Sequence, residues 1–269
     1  MDVLKALLAR LTWRLVLYWG ALALVLWGFV GLVGEVYEQE GFFFDEPVLT
    51  WFYGSVGPGW TAVMRAASVF GDVPVMGALS LATAVGLWFV SRREGRFFAV
   101  SVGGAALFMI LAKLLVARPR PELFPDVRLW QEASASFPSG HATGSMAYFL
   151  ALYLVVARLA PRWRWPVGLL GAAVVALIGI SRLYLQVHYP SDILAGFALS
   201  ALWVSGVNAI YRYRGRDKSR RTVLLTLPSA VVARYRQEAA RQGKREDEVV
   251  AAALAEHYGL EQAAPRDKA

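Results

Sequence analysis

Three polar clusters interrupt an otherwise apolar chain, and their residue types suit the handling of a tetrahedral anion. The first is Lys113-LLVARP-Arg120-Pro121, the second is Pro138-Ser139-Gly140-His141, and the third is Ser181-Arg182-LYLQV-His188-YPS-Asp192. Lys113, Arg120 and Arg182 offer fixed cations rich in donors, matching a phosphate-like dianion. Ser139 and Gly140 open an apolar run that reads as a helix, so first-turn N–H groups and the positive end of the dipole point to one place. Gly140 lets the backbone approach a ligand closely. His188 and Asp192 lie one turn apart if their segment is helical; Asp192 then keeps one imidazole nitrogen as N–H and leaves the other to attack. His141 is a second imidazole, suited to protonating a departing oxygen. Together these are a nucleophile, its orienter, an acid and an anion clamp. Arginines stabilise the developing charge, so no metal or cofactor is expected, and the absence of cysteine excludes thiolate metal sites.

Each residue alone has a blander reading: Lys113 as an interfacial anchor, Arg120 as a stray loop charge, His141 as a helix-start residue, His188–Asp192 as a structural pair. Their conjunction overturns these readings. Arg118 reads as facing the membrane interface and is left outside the site, and Tyr184 and Tyr189 are given no role.

The elements that must carry these clusters are membrane spans. The chain has 269 residues, 57% of them hydrophobic, and a mean hydropathy of +0.44, beyond the range of an ordinary soluble domain. A bilayer core needs about 20 apolar helical residues, and six stretches qualify: 13–34, 73–90, 97–116, 141–160, 166–181 and 193–211. The first follows Lys5, Arg10 and Arg14 and reads as a retained helix rather than a cleaved signal. The net charge of +8 is concentrated in short clusters. Those at the N-terminus, at Arg92, Arg93 and Arg96, at Arg158, Arg162 and Arg164, and from Arg212 to Arg221 fall on one side, which the positive-inside rule assigns to the cytoplasm. Glu35, Glu38, Glu40, Asp45, Glu46 and Asp72 fall on the other, as do all three polar clusters. Arg118, Arg120, Arg128 and Arg182 break the rule there and call for a local reason. The expected location is therefore the cell membrane, with cytoplasmic termini and an extracytoplasmic site. Residues 42–70 are aromatic and too interrupted by proline and glycine to span; they read as amphipathic pieces in the outer interface. Whether they are an aromatic belt or help to admit a substrate stays open at this stage.

The clusters resemble the signature of the type 2 phosphatidic acid phosphatase superfamily, KxxxxxxRP, PSGH and SRxxxxxHxxxD, with every defining position filled over roughly residues 35–211. The resemblance implies an all-α integral membrane protein, six transmembrane helices around an acid-phosphatase/vanadium-haloperoxidase-like core. It implies that His188 forms a phosphohistidine set up by Asp192, and that His141 is the general acid. Lys113, Arg120, Ser139, Gly140 and Arg182 would bind the phosphoryl group. The implied substrates are lipid phosphates such as undecaprenyl pyrophosphate, phosphatidylglycerol phosphate or phosphatidic acid. Phosphotransfer to an acceptor other than water is the alternative within enzymes, and a soluble haloperoxidase is disfavoured by the six spans. A non-catalytic transporter has little support with every catalytic position filled.

The expected organisation is a phosphatase domain over 1–213 with its outer segment at about 35–70, a basic linker at 214–220, a small module at 221–260 and a tail at 261–269. In the module, Thr222 to Leu227 reads as a short strand, Pro228 as a helix start, Gly243 as a helix stop, and about 245–258 as a second helix. Strand, helix, helix is similar to the ribbon-helix-helix fold, which implies a homodimer. The ribbon's outward face, Thr222, Leu224 and Thr226, reads DNA poorly, so dimerisation is favoured over DNA binding. A membrane-tethered DNA-binding protein remains the competing class.

Overall fold

The computed structural model describes residues 13–37, 42–124, 134–217, 229–244 and 246–257. Among these residues the chain is all-helical. The first unit, Met1–Arg216, carries α1 (Trp13–Tyr37), α2 (Asp45–Tyr53), α3 (Pro58–Gly71), α4 (Val73–Val90), α5 (Arg92–Val116), α6 (Gly140–Leu159), α7 (Arg164–Tyr184) and α8 (Pro190–Asp217), the last reaching the boundary. Five helical stretches among the described residues are long and apolar enough to cross a bilayer: Val73–Val90, Arg92–Val116, Gly140–Leu159, Pro161–Tyr184 and Pro190–Arg212. Helix α1 contributes a shorter apolar stretch, Ala23–Val36. Its inner face packs through Val36, Phe29, Leu32 and Val33 around Phe137, Val116 and Ala195.

The bundle is apolar outside and mixed inside, as a lipid solvent requires. Leu81, Phe89, Val90, Leu114, Leu115, Leu169 and Leu170 face outward. The interior accepts small residues and paired hydroxyls. Ser200 donates to the Thr143 carbonyl at 2.8 Å, and the Thr83 and Tyr148 hydroxyls meet at 2.9 Å. A Cβ on Gly104 would lie 2.3 Å from the Trp203 ring, so only glycine admits that indole between α5 and α8. On Gly196 it would lie 2.9 Å from the Ser139 carbonyl oxygen, which keeps α8 tight against the start of α6.

Helices α5 and α7 end where α6 and α8 begin, so the three polar clusters share one end of the bundle. Residues 42–71 form two short helices rather than a span. Helix α3 begins with Pro58 at its first turn, a position where the missing N–H costs nothing. Phe43, Trp51 and Trp60 are exposed there. The opposite end holds a polar cluster of its own. Ser91 caps α5 by accepting the Glu94 N–H. The buried Glu94 carboxylate accepts from Arg158 at 2.7 and 2.9 Å and from the Tyr211 hydroxyl at 3.0 Å. Arg158 also donates to Asn208 and stacks 4.2 Å from the Phe97 ring. The sequence reading counts Arg158 only as an orienting loop charge; the structure makes it the hub joining α5, α6 and α8.

The second unit, Asp217–Ala269, contains α9 (Ser229–Gln242) and α10 (Glu246–His257). Gly243 adopts φ +61°, and Lys244 N–H bonds the Ala239 carbonyl, the glycine stop of a Schellman motif. Ala239 and Val249 are buried, and Arg236 pairs with Glu246. The strand expected at 222–227 lies outside the described residues.

Removing Glu94 strips two partners of their acceptor at once. Glu94→Ala is expected to cost about 2–4 kcal/mol in a denaturation experiment in detergent, and Glu94→Ala with Arg158→Ala to cost less than the sum of the single losses.

Candidate active site

The site is built from helix ends and from two loops stitched together. Helix α5 stops because Ala117 turns left-handed, with φ 47° and its N–H on the Lys113 carbonyl. The chain then runs out through Arg118 and Arg120 beside the segment that leads into α6. The Ser136 N–H bonds the Arg118 carbonyl at 2.8 Å, Arg120 donates to the Ser134 carbonyl and hydroxyl, and Lys113 Nζ donates to the Ala135 carbonyl. A cis Phe137–Pro138 peptide precedes Ser139, which caps α6 through its hydroxyl and the Ala142 N–H. Gly140 and His141 then place their N–H groups in the first turn, at the positive end of the helix dipole. A Cβ on Gly140 would reach only Met109, at 3.8 Å, so any need for glycine there comes from a ligand rather than from the fold.

Helix α8 begins at Pro190, and Asp192 in its first turn reaches back to accept the Tyr189 N–H at 2.8 Å, the returning half of a capping box. The same carboxylate takes the Ser136 hydroxyl at 2.5 Å and faces His188 Nδ1 at 3.4 Å, and Ser136 Oγ stands 3.3 Å from that nitrogen. On the far side of the ring, Arg120 lies 3.2 Å from His188 Nε2 while bonding the Val187 carbonyl at 2.6 Å. A guanidinium only donates, so Nε2 accepts and the ring proton sits on Nδ1, between Asp192 and Ser136. The lone pair of a fully buried imidazole thus points at the cation of the clamp. Burial drives the His188 pKa down to about 3, against the smaller upward pull of Asp192.

Arg182, also fully buried, donates to the Ser68 hydroxyl from the end of α7. His141 Nε2 lies 2.7 Å from Asp72, and the ring also donates a hydrogen bond to the Ser68 backbone. Gly71 makes that approach possible: a Cβ there would sit 2.9 Å from the His141 ring and 2.7 Å from Ile178. The segment at 42–72 therefore supplies partners to the site, which narrows the choice left open between belt and functional element.

All eight residues singled out from the sequence lie at this end of the bundle. Arg118 does not stay outside it. Its guanidinium joins Asp192 at 2.8 Å to Asp45 at 3.0 Å and also donates to the Ser191 hydroxyl, with its plane 4.0 Å from the Tyr189 ring. Ser136, Asp45 and Asp72 were likewise missed. The broken charge rule at Arg118 was the signal available in the sequence, and a buried carboxylate partner is its cause. Tyr184, given no role, ties the α2–α3 turn to α7, its hydroxyl accepting the Gly57 N–H at 2.9 Å and meeting Thr61 at 3.0 Å. Gln186 turns left-handed two residues before His188, at φ 59°, and its side chain bonds the Leu49 carbonyl of α2.

Because the folded chain excludes a proton from His188 that the unfolded chain accepts, stability is full above pH 6.5 and falls as pH drops toward about 3. A melting-temperature series for wild type and His188→Asn should show a shallower acid decline in the variant across that window.

Known proteins share stretches of this sequence and its fold. The PAP2 superfamily model matches residues 94–216. Phosphatidylglycerophosphatase B of Bacillus subtilis is 30% identical over 152 residues, covering 54% of this chain and 72% of that protein. Decaprenylphosphoryl-5-phosphoribose phosphatase of Mycobacterium tuberculosis is 31% identical over 172 residues, covering 61% of this chain and 87% of its own length. The crystal structure of a transmembrane PAP2-type phosphatidylglycerolphosphate phosphatase from Bacillus subtilis superimposes with a TM-score of 0.64 at 23% identity, covering 74% of this chain and 98% of that one. The chain belongs to the PAP2 superfamily and is a multi-pass membrane lipid phosphatase of that type.

Proposed function

We propose that the protein hydrolyses a phosphomonoester or pyrophosphate of a lipid at the extracytoplasmic face of the membrane, through a phosphohistidine on His188 and without a metal. The observation that carries this reading is the His188 ring, with Nδ1 against Asp192 and Ser136 and Nε2 accepting from Arg120. Substrate phosphoryl oxygens would take over the donors of Lys113, Arg120 and Arg182 and the N–H groups opening α6, with Ser139 beside them. Nε2 then attacks phosphorus, the P–O bond to the lipid breaks, and His141 gives its proton to the leaving oxygen. In the second half, water attacks the phosphohistidine and passes a proton to His141, the P–N bond breaks, and its electron pair returns to Nε2. Asp72, part-exposed at 29%, would hold His141 in place as its proton leaves in the first half and is restored in the second.

The sidedness rests on Arg92, Arg93, Arg96, Arg158, Arg162 and Arg164, which lie at the helix ends opposite the polar clusters, read by the positive-inside rule. α1 would complete six spans and leave both termini cytoplasmic. Substrates are then lipids that reach the outer leaflet: undecaprenyl pyrophosphate, phosphatidylglycerol phosphate or phosphatidic acid. The names of the two relatives, one for a glycerophospholipid and one for a polyprenyl lipid, span that range. The second unit is proposed as a cytoplasmic dimerisation module, with a role in DNA binding less favoured. Deleting 214–269 should halve the protein mass measured in detergent by light scattering; an unchanged mass would remove this assignment.

Purified protein with EDTA present should release phosphate from a panel of lipid monophosphates and pyrophosphates, and His188→Ala should abolish release. His141→Ala should lose far less on p-nitrophenyl phosphate, whose leaving group needs no proton, than on phosphatidic acid. Wild type inactive on every lipid phosphate, or active His188→Ala, would sink the mechanism.

A further inference from the structure

Asp45 is the first residue of the interfacial helix α2, yet it is buried, only 1% exposed, 146 positions in sequence from the serine it binds. Its carboxylate accepts the Ser191 N–H at 2.9 Å, the Ser191 hydroxyl at 2.7 Å and Arg118 at 3.0 Å. Arg118 passes on to Asp192 at 2.8 Å. Charges therefore alternate along one buried line: Asp45, Arg118, Asp192, then the His188 ring.

Such a line has a use that a simple structural ion pair lacks. Asp192 has two oxygens and several claimants. Oδ1 takes Arg118, while Oδ2 takes Ser136 and the Tyr189 N–H and faces Nδ1 of His188. With Oδ1 pinned by a planar guanidinium, rotation of the carboxylate is blocked and Oδ2 is presented to the ring in one orientation. Arg118 is held in turn by the Tyr189 face at 4.0 Å and by Asp45, so its fork cannot swing. Asp45 brings a second element into the line, because its helix α2 exposes Trp51, packs Phe52 against the cluster of Met64, Tyr184, Leu185 and Val187, and is tied again to the loop before His188 by Gln186.

We propose that Asp45 and Arg118 are positioning residues for the reaction, orienting Asp192 and through it His188, and that they make the seating of α2 and the aim of the nucleophile a single event. This rests on His188 being the nucleophile. The groups facing His188 are Asp192 from α8, Arg120 from the loop after α5, Arg182 from α7 and the Ser136 hydroxyl. Arg118 partly neutralises Asp192, and Asp45 partly neutralises Arg118. Removing either charge therefore changes the proton affinity of His188 in opposite directions.

The full chain has three histidines, so 15N-histidine labelling in detergent gives a spectrum that His141→Gln and His188→Gln assign. In Arg118→Ala the His188 titration should move to higher pH, since Asp192 faces the ring uncompensated. In Asp45→Asn it should move to lower pH. With dioctanoyl phosphatidic acid, both should lose about tenfold or more in kcat with KM within about threefold. Arg118→Lys, which keeps the charge and loses the fork, should keep a near-wild-type titration and a reduced kcat; it also serves where Arg118→Ala does not fold. Titrations that stay put or move together, or wild-type kcat in Arg118→Lys and Asp45→Asn, overturn the proposal. Activity surviving in His188→Ala would instead overturn the nucleophile assignment on which it rests.

Discussion

The site depends on one buried carboxylate. Asp192 closes the first turn of α8 through the Tyr189 N–H, takes the Ser136 hydroxyl and Arg118, and faces the imidazole of His188. An unpaired carboxylate at this depth would cost several kcal/mol. The donors around it are therefore a condition of the fold as much as of the chemistry. They arrive from three separate stretches of chain: the loop after α5, the segment before α6, and the start of α8 itself. Helix geometry alone would let α6 and α8 slide; the shared carboxylate and the Gly196 contact hold their starts in register.

The two histidines show how environment sets identical side chains apart. His188 is sealed, with its proton confined to Nδ1 and its lone pair aimed at an arginine. His141 sits in the first turn of a helix beside a carboxylate that reaches solvent. One suits attack and the other proton exchange, and the difference lies in what each nitrogen faces.

Much of this was legible in advance, because the motif residues are close in sequence to helix boundaries that apolar runs reveal. The span at 73–90 agrees to the residue with α4, whereas α5 starts at Arg92 rather than at 97, since a capping serine and the buried Glu94–Arg158 pair carry the helix through residues that hydropathy counts as loop. Asp45, Asp72 and Ser136 were illegible for a common reason. Each is an ordinary polar residue whose importance comes from a partner many positions away, and hydropathy discards that information. Arg118 was visible as an anomaly of charge but not of place; without Asp45 opposite it, an interfacial arginine and a buried one look the same.

Two residues near the His188 ring are left-handed, Ala117 just before Arg118 and Gln186 just before Val187. Neither residue type favours that conformation, and each costs about 1 kcal/mol relative to glycine. A search for thermostable variants would select glycine at Ala117 first, because there it relaxes the backbone at no steric cost, whereas at Gln186 the same change gives up the bond to the Leu49 carbonyl. The gain at Ala117 would come from the turn that sets Arg118 against Asp45 and Asp192, so hardiness there would be exchanged for the fixed seat of that guanidinium.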